Sequence, residues 1–136
     1  MQKEDEDLLE LQFGELPIYK VVKLSSGRTI NLKTTGNGFI VYMPRRHLKH
    51  FHLLDELYTM DLETSNSVAV NKIKIPEGNV ASANVFQILV NYYEANVWPV
   101  KMETQMLYHL IAATDYLQAQ KALDELLSIV ALLLAD

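Results

Sequence analysis

The period of the apolar residues changes at Pro44, and that change constrains the fold more than any other feature of the chain. Before it, Thr29-Ile30-Asn31-Leu32-Lys33-Thr34 alternates polar with apolar, and Phe39-Ile40-Val41-Tyr42-Met43 is a β-rich run. After it, apolar residues recur at steps of three and four, as on one face of a helix. The order is therefore that of an α+β domain: a small sheet of three to four strands packed against a cluster of helices.

In the strand-rich part, Tyr19, Val21 and Val22 precede the turn signal Ser25-Ser26-Gly27-Arg28, and Thr35-Gly36-Asn37-Gly38 separates the next two strands. Gly and Asn accept the positive φ angles of tight turns, so a meander of three strands is expected. A strand, not a helix N-terminus, follows Gly36-Asn37-Gly38, so this loop is a turn rather than a phosphate cradle.

Pro44 has no N–H to leave unpaired and suits a first helical position. Leu48, Phe51, Leu54, Leu57 and Tyr58 then form an apolar stripe that runs out near Met60. Residues 61–67 read as a loop and 68–75 as a strand ended by Pro76. Ser82 or Asn79 caps a second helix carrying Val85, Phe86, Leu89, Val90, Tyr92 and Tyr93, which ends near Asn96. Leu107, Leu110, Ile111 and Thr114 share a face of a third helix. A fourth begins near Gln120, with Leu123, Leu126, Leu127, Val130, Leu133 and Leu134 as its stripe. Ile129, Ala131 and Leu132 make the opposite face nearly as apolar, so the last two turns need cover on both sides from a protein partner or a second copy.

At 136 residues, 49% of them apolar and 21% charged, the chain has the size and composition of one globular domain. Residues 1–12 carry the run Glu4-Asp5-Glu6-Asp7 and hold only Leu8, Leu9 and Leu11 as strong apolar groups, so they read as an acidic, flexible tail ahead of a domain at 18–136. An acidic start is not a secretion signal, and the apolar stretch 126–135 is about half the length that spans a bilayer. A cytoplasmic or nuclear protein with no membrane segment is expected.

The absence of cysteine removes disulfides, thiolate metal sites and cysteine nucleophiles. A net charge of −5 repels a phosphate backbone, and Arg45, Arg46, His47, Lys49 and His50 form the one concentrated basic patch. That patch lies at a helix N-terminus, where cations oppose the macrodipole. An acidic strip, such as the one at residues 4–7, would relieve it. His47, His50 and His52 have no carboxylate at ligand spacing, so a solvated helix face is preferred to a metal site. Asp55-Glu56 and Asp124-Glu125 point to different helical faces, and no serine stands in a nucleophile elbow. The inventory predicts neither catalysis nor a cofactor. Tyr92, Tyr93 and Trp98 cluster at the exit of the second helix, as core or as anchors for a partner.

The run Leu107-Tyr108-His109-Leu110-Ile111-Ala112-Ala113-Thr114-Asp115-Tyr116-Leu117 resembles a recurring pattern of the BTB/POZ superfamily. In its short Skp-type and elongin C-like members, leucines, two alanines, a polar residue, an aromatic and a leucine mark a helix–helix corner. The hairpin around Ile30 to Val41 and the strand Ile73-Lys74-Ile75-Pro76 are similar to other parts of that fold. The alanines let two helices approach, while Leu110 and Leu117 fill the core. The resemblance implies a BTB/POZ (Skp-like) fold and a non-catalytic protein–protein adaptor, of the kind that links a cullin-type ubiquitin ligase scaffold to a receptor bearing an F-box or BC-box. By position, Asp115 and Tyr116 match the pair presented to the cullin, although the polar member here is acidic. The expected partner surface comprises Asp115, Tyr116, Tyr92, Tyr93, Trp98, Ile129, Leu132 and Leu133. The alternative is a BTB-type oligomerisation module, a homodimer organising a complex unrelated to ubiquitin.

Overall fold

A computed structural model describes residues 7–64, 70–76 and 78–135. Leu8–Phe13 (β1) is the middle strand of a three-stranded sheet, antiparallel to Phe39–Pro44 (β4) and parallel to Lys72–Ile75 (β5). Register places Leu11 between Val41 and Ile73, and Phe13 between Phe39 and Ile75. Leu9, Leu11, Phe13, Val41, Met43, Ile73 and Ile75 consequently point to one side and are all buried. On the other side Glu10 accepts from the Tyr42 hydroxyl at 3.2 Å and meets Lys72 at 3.5 Å.

This corrects the expected division of the chain, because residues 8–12 belong to the centre of the sheet and not to a tail. The alternation Leu9-Glu10-Leu11-Gln12-Phe13 carries a strand pattern whose polar members face water, and two neighbours satisfy its backbone. Residues 1–6 lie outside the described residues.

The expected meander also does not form. Ile18–Lys23 (β2) and Thr29–Thr35 (β3) pair antiparallel as a separate two-stranded ribbon, and β3 does not pair with β4. The Gly36–Gly38 link is a crossing: its backbone lies against the segment after β1, with the Gly38 N–H donating to the Glu15 carbonyl at 2.8 Å. A Cβ at Gly36 would meet the Leu16 carbonyl oxygen at 2.5 Å, and one at Gly38 the Phe13 carbonyl oxygen at 2.5 Å. Two backbones this close exclude side chains at both positions.

After Pro44 the chain makes a 3₁₀ turn over Arg45–His50, breaks at Phe51, and only then enters an α-helix, His52–Thr64 (α1). The helix therefore starts later than Pro44 and takes in residues 61–64 of the expected loop. Residues 65–69, with the start of the expected strand, lie outside the described residues. Ser82 caps Ala83–Ala95 (α2) by accepting from the Val85 N–H at 3.2 Å, and Asn96 closes it with φ 56°. Thr104–Leu117 (α3) turns at Gln118, φ 58°, into Gln120–Leu134 (α4). The core joins the sheet's apolar side to Phe51, Leu54, Phe86, Leu89, Leu110, Leu117 and Leu126. The molecule is thus mixed α+β, with small sheets of three and two strands. Among the described residues no helix is long and apolar enough to cross a membrane.

Candidate functional site

At the α3–α4 corner, Ala113, Ala119 and Ala122 are fully buried, and their lack of bulk lets the two helices close on one another. Ala112 is half-buried. Thr114 is buried, and its hydroxyl donates to the Leu110 and Ile111 carbonyls at 2.9 and 3.0 Å, so it needs no outside partner. The Gln118 and Ala119 N–H groups return to the Asp115 and Thr114 carbonyls and fix the corner.

Asp115 is exposed there. Tyr116 is half-buried: its hydroxyl donates to the Pro76 carbonyl at 3.2 Å, and its ring lies against Gly78 so closely that a Cβ on Gly78 would clash with Cζ. Tyr116 therefore ties the corner to the loop after β5, and only part of its surface remains for a partner.

The aromatic cluster divides. Tyr92 is 1% exposed, stacked on Trp98 at 4.2 Å and edge-on to Tyr93 at 5.0 Å. This corrects its assignment to a partner surface, because its position on the inward face of α2 puts it in the core. Tyr93 is half-buried, stacks on His50 at 4.3 Å and accepts from the Ala122 N–H at 3.2 Å, linking α2 to the first turn of α4. Burial raises its phenol above the ordinary value, with the Ala122 hydrogen bond opposing. Trp98 is half-buried and lines, with Ile88, Asn91, Val97 and Pro99, a cavity of about 180 Å³.

Along α4, Ala122 and Leu126 are buried and Ile129 is half-buried against the core. The helix then outruns the domain: Leu132 is 73% exposed, Leu133 61% and Leu134 79%, with Leu127 a turn earlier at 49%. Of the predicted surface, Asp115, Leu132 and Leu133 stand in solvent, Tyr116, Tyr93, Trp98 and Ile129 are partly covered, and Tyr92 is interior.

The basic patch is largely internally neutralised. Arg45 binds Asp7 at 2.6 Å, the Tyr58 hydroxyl at 2.8 Å and the Val70 carbonyl at 2.8 Å. The Asp7 carboxyl is held below its ordinary value chiefly by the Arg45 hydrogen bond. Asp7 belongs to the acidic run suggested as relief for these cations. Arg46 grips both Glu94 oxygens at 2.7 Å, a partner on α2 that no local spacing signals. The three histidines take separate partners: His47 Glu94, His50 Tyr93, and His52 Glu56 at 2.8 Å. Among the described residues no three His, Asp or Glu side chains converge as metal ligands.

The β2–β3 ribbon is also an exposed element that the strand pattern alone does not announce, with Tyr19, Val21, Leu24, Ile30 and Leu32 all open to water. The signal in the sequence is the apolar residues on both faces of the two strands, Tyr19 and Val21 on one and Val22, Ile30 and Leu32 on the other.

The chain matches no family model, and no curated protein matches it.

Proposed function

We propose that this chain is a BTB/POZ-type, Skp-like adaptor that joins proteins without chemistry of its own, in the cytoplasm or nucleus, with a cullin-type scaffold and a substrate receptor as the partner classes. One observation carries the reading: an amphipathic helix rooted in the core by Ala122 and Leu126 extends Leu127, Leu132, Leu133 and Leu134 into solvent, at the opposite end of the helix from the corner that displays Asp115. Apolar surface of this kind on a folded domain is costly unless something covers it. The Leu107–Leu117 resemblance names the kind of cover. A second reading, a BTB-type homo-oligomer, is favoured by the same leucines if they pack on a second copy.

The test is binding of the purified chain to a purified cullin N-terminal domain, with light scattering of each alone. The adaptor reading expects a monomer that forms a complex, and loss of that complex on Asp115→Arg or on Leu132→Glu with Leu133→Glu. A concentration-independent dimer that ignores the cullin domain supports the oligomer reading instead.

A further inference from the structure

The ribbon β2–β3 is an unusual element to leave uncovered, because a two-stranded hairpin is marginal in water by itself. Register sorts its side chains. Lys20 lies opposite Leu32 and Val22 opposite Ile30, and the bond from the Leu24 N–H to the Arg28 carbonyl continues the same face toward the turn. That face therefore has an aliphatic middle of Val22, Leu24, Ile30 and Leu32, with Lys20 toward the root and Arg28 at the tip. Lys23 and Lys33 share the other face with Tyr19 and Val21. From Ile18 to Lys33 the chain holds four cations and no carboxylate, while the whole chain carries −5, so the ribbon is a cationic arm on an acidic body.

Among the described residues the edges are also open. The Leu24–Arg28 bond sets the phase of the ladder, so the Val21 and Lys23 amides on β2, and the Thr29 and Asn31 amides on β3, point away from the partner strand. Neither strand pairs with another strand among the described residues.

We propose that this ribbon is a docking edge for an acidic, extended segment of another protein, which adds to it as a third strand. An added strand satisfies the outward amides of the strand it joins, Val21 and Lys23 on β2 or Thr29 and Asn31 on β3, and widens the aliphatic stripe. Lys20 and the residue pair at Arg28 are four positions apart along the ribbon, roughly 13 Å at the usual rise, so carboxylates spaced i and i+4 on the incoming segment lie level with the two cations, one on the adjoining strand and one on the strand behind it. Charge sets the choice of occupant. A second copy packed face to face on this stripe places cation over cation in either strand direction, and one added edge to edge brings together two ribbons that each carry four cations and no carboxylate. A nucleic acid finds an aliphatic centre where stacking platforms are aromatic, and an anionic membrane repels the acidic body. This site is separate from the α4 surface and does not depend on it.

The probe is a blocked peptide, Thr-Asp-Thr-Ile-Thr-Glu-Thr, with a counterpart carrying Lys at both acidic positions, titrated into the full chain by NMR. The expected result is saturable binding of the acidic peptide, with shifts across the ribbon and slowed amide exchange at one edge pair, Val21 with Lys23 or Thr29 with Asn31. Lys20→Glu with Arg28→Glu should weaken it by about tenfold or more while circular dichroism stays unchanged. Equal binding of the Lys peptide, shifts elsewhere, or an unaltered response in the double variant overturns the proposal. So does a ribbon that instead saturates with polyuridylate or anionic vesicles, or that is already protected in a concentration-dependent dimer.

Discussion

Glu94 on α2 lies 2.5 Å from Nε2 of His47, a ring that is 2% exposed and sits in the 3₁₀ turn 47 residues earlier. At that distance Nε2 must donate to the carboxylate, so the Arg46 Nη1 contact to the same nitrogen at 3.0 Å is proximity and not a second hydrogen bond. Arg46 turns its other nitrogen to the carboxylate. A carboxylate held by two basic side chains thus closes the turn against α2.

The first prediction concerns that carboxylate. The Arg46 hydrogen bond, then the His47 hydrogen bond, lower Glu94 from 4.5 to about 2. A depressed carboxyl stabilises the fold fully above its unfolded value and loses that contribution as pH falls through the folded one. Glu94→Gln should cost about 1 kcal/mol at neutral pH, well under what the shift alone implies because the group is partly solvated. The cost should vanish between pH 4.5 and about 2. Urea melts across that range check it; a constant difference between the proteins would be contrary.

His50 titrates with a different origin. Burial, then the neighbouring His47, Lys49, Lys121 and Arg46, push its imidazole below 6.5. Its neutral ring is favoured in the fold, so stability is complete above 6.5 and declines as pH drops through the lower folded value. An NMR titration should give a midpoint below 6.5. His50→Phe, which keeps the stack on Tyr93, should flatten the stability decline on that limb.

Gly78 and Tyr116 make a paired test. Gly78→Ala forces the ring from its seat and should cost about 1–3 kcal/mol by overpacking. Tyr116→Phe, which loses only the bond to the Pro76 carbonyl, should cost about 0.5–1 kcal/mol. Thermal melts of both variants decide it; a neutral Gly78→Ala would mean the ring is free to leave.

Leu11 and Leu132 should respond in opposite ways. Leu11 is fully buried at the centre of the sheet, so Leu11→Ala should cost about 2–5 kcal/mol. Leu132→Ser should stay within about 0.5 kcal/mol and improve solubility, since its side chain already stands in water. Denaturant midpoints compare them directly.

Residue order alone determined the α+β composition, a cap for α2 at Ser82 or Asn79, its stop near Asn96, the close α3–α4 corner and the apolar surplus at the end of α4. Each rests on contacts within a few positions, which periodicity and capping chemistry record. Tertiary structure alone decided that 8–13 is the central strand, that β3 keeps β2 but does not pair with β4, that Tyr92 is interior, and that Glu94 answers Arg46 and His47. Those outcomes depend on groups separated by tens of residues. A strand has no local hydrogen bonds of its own, and a charge has no fixed partner, until the rest of the chain has closed around it.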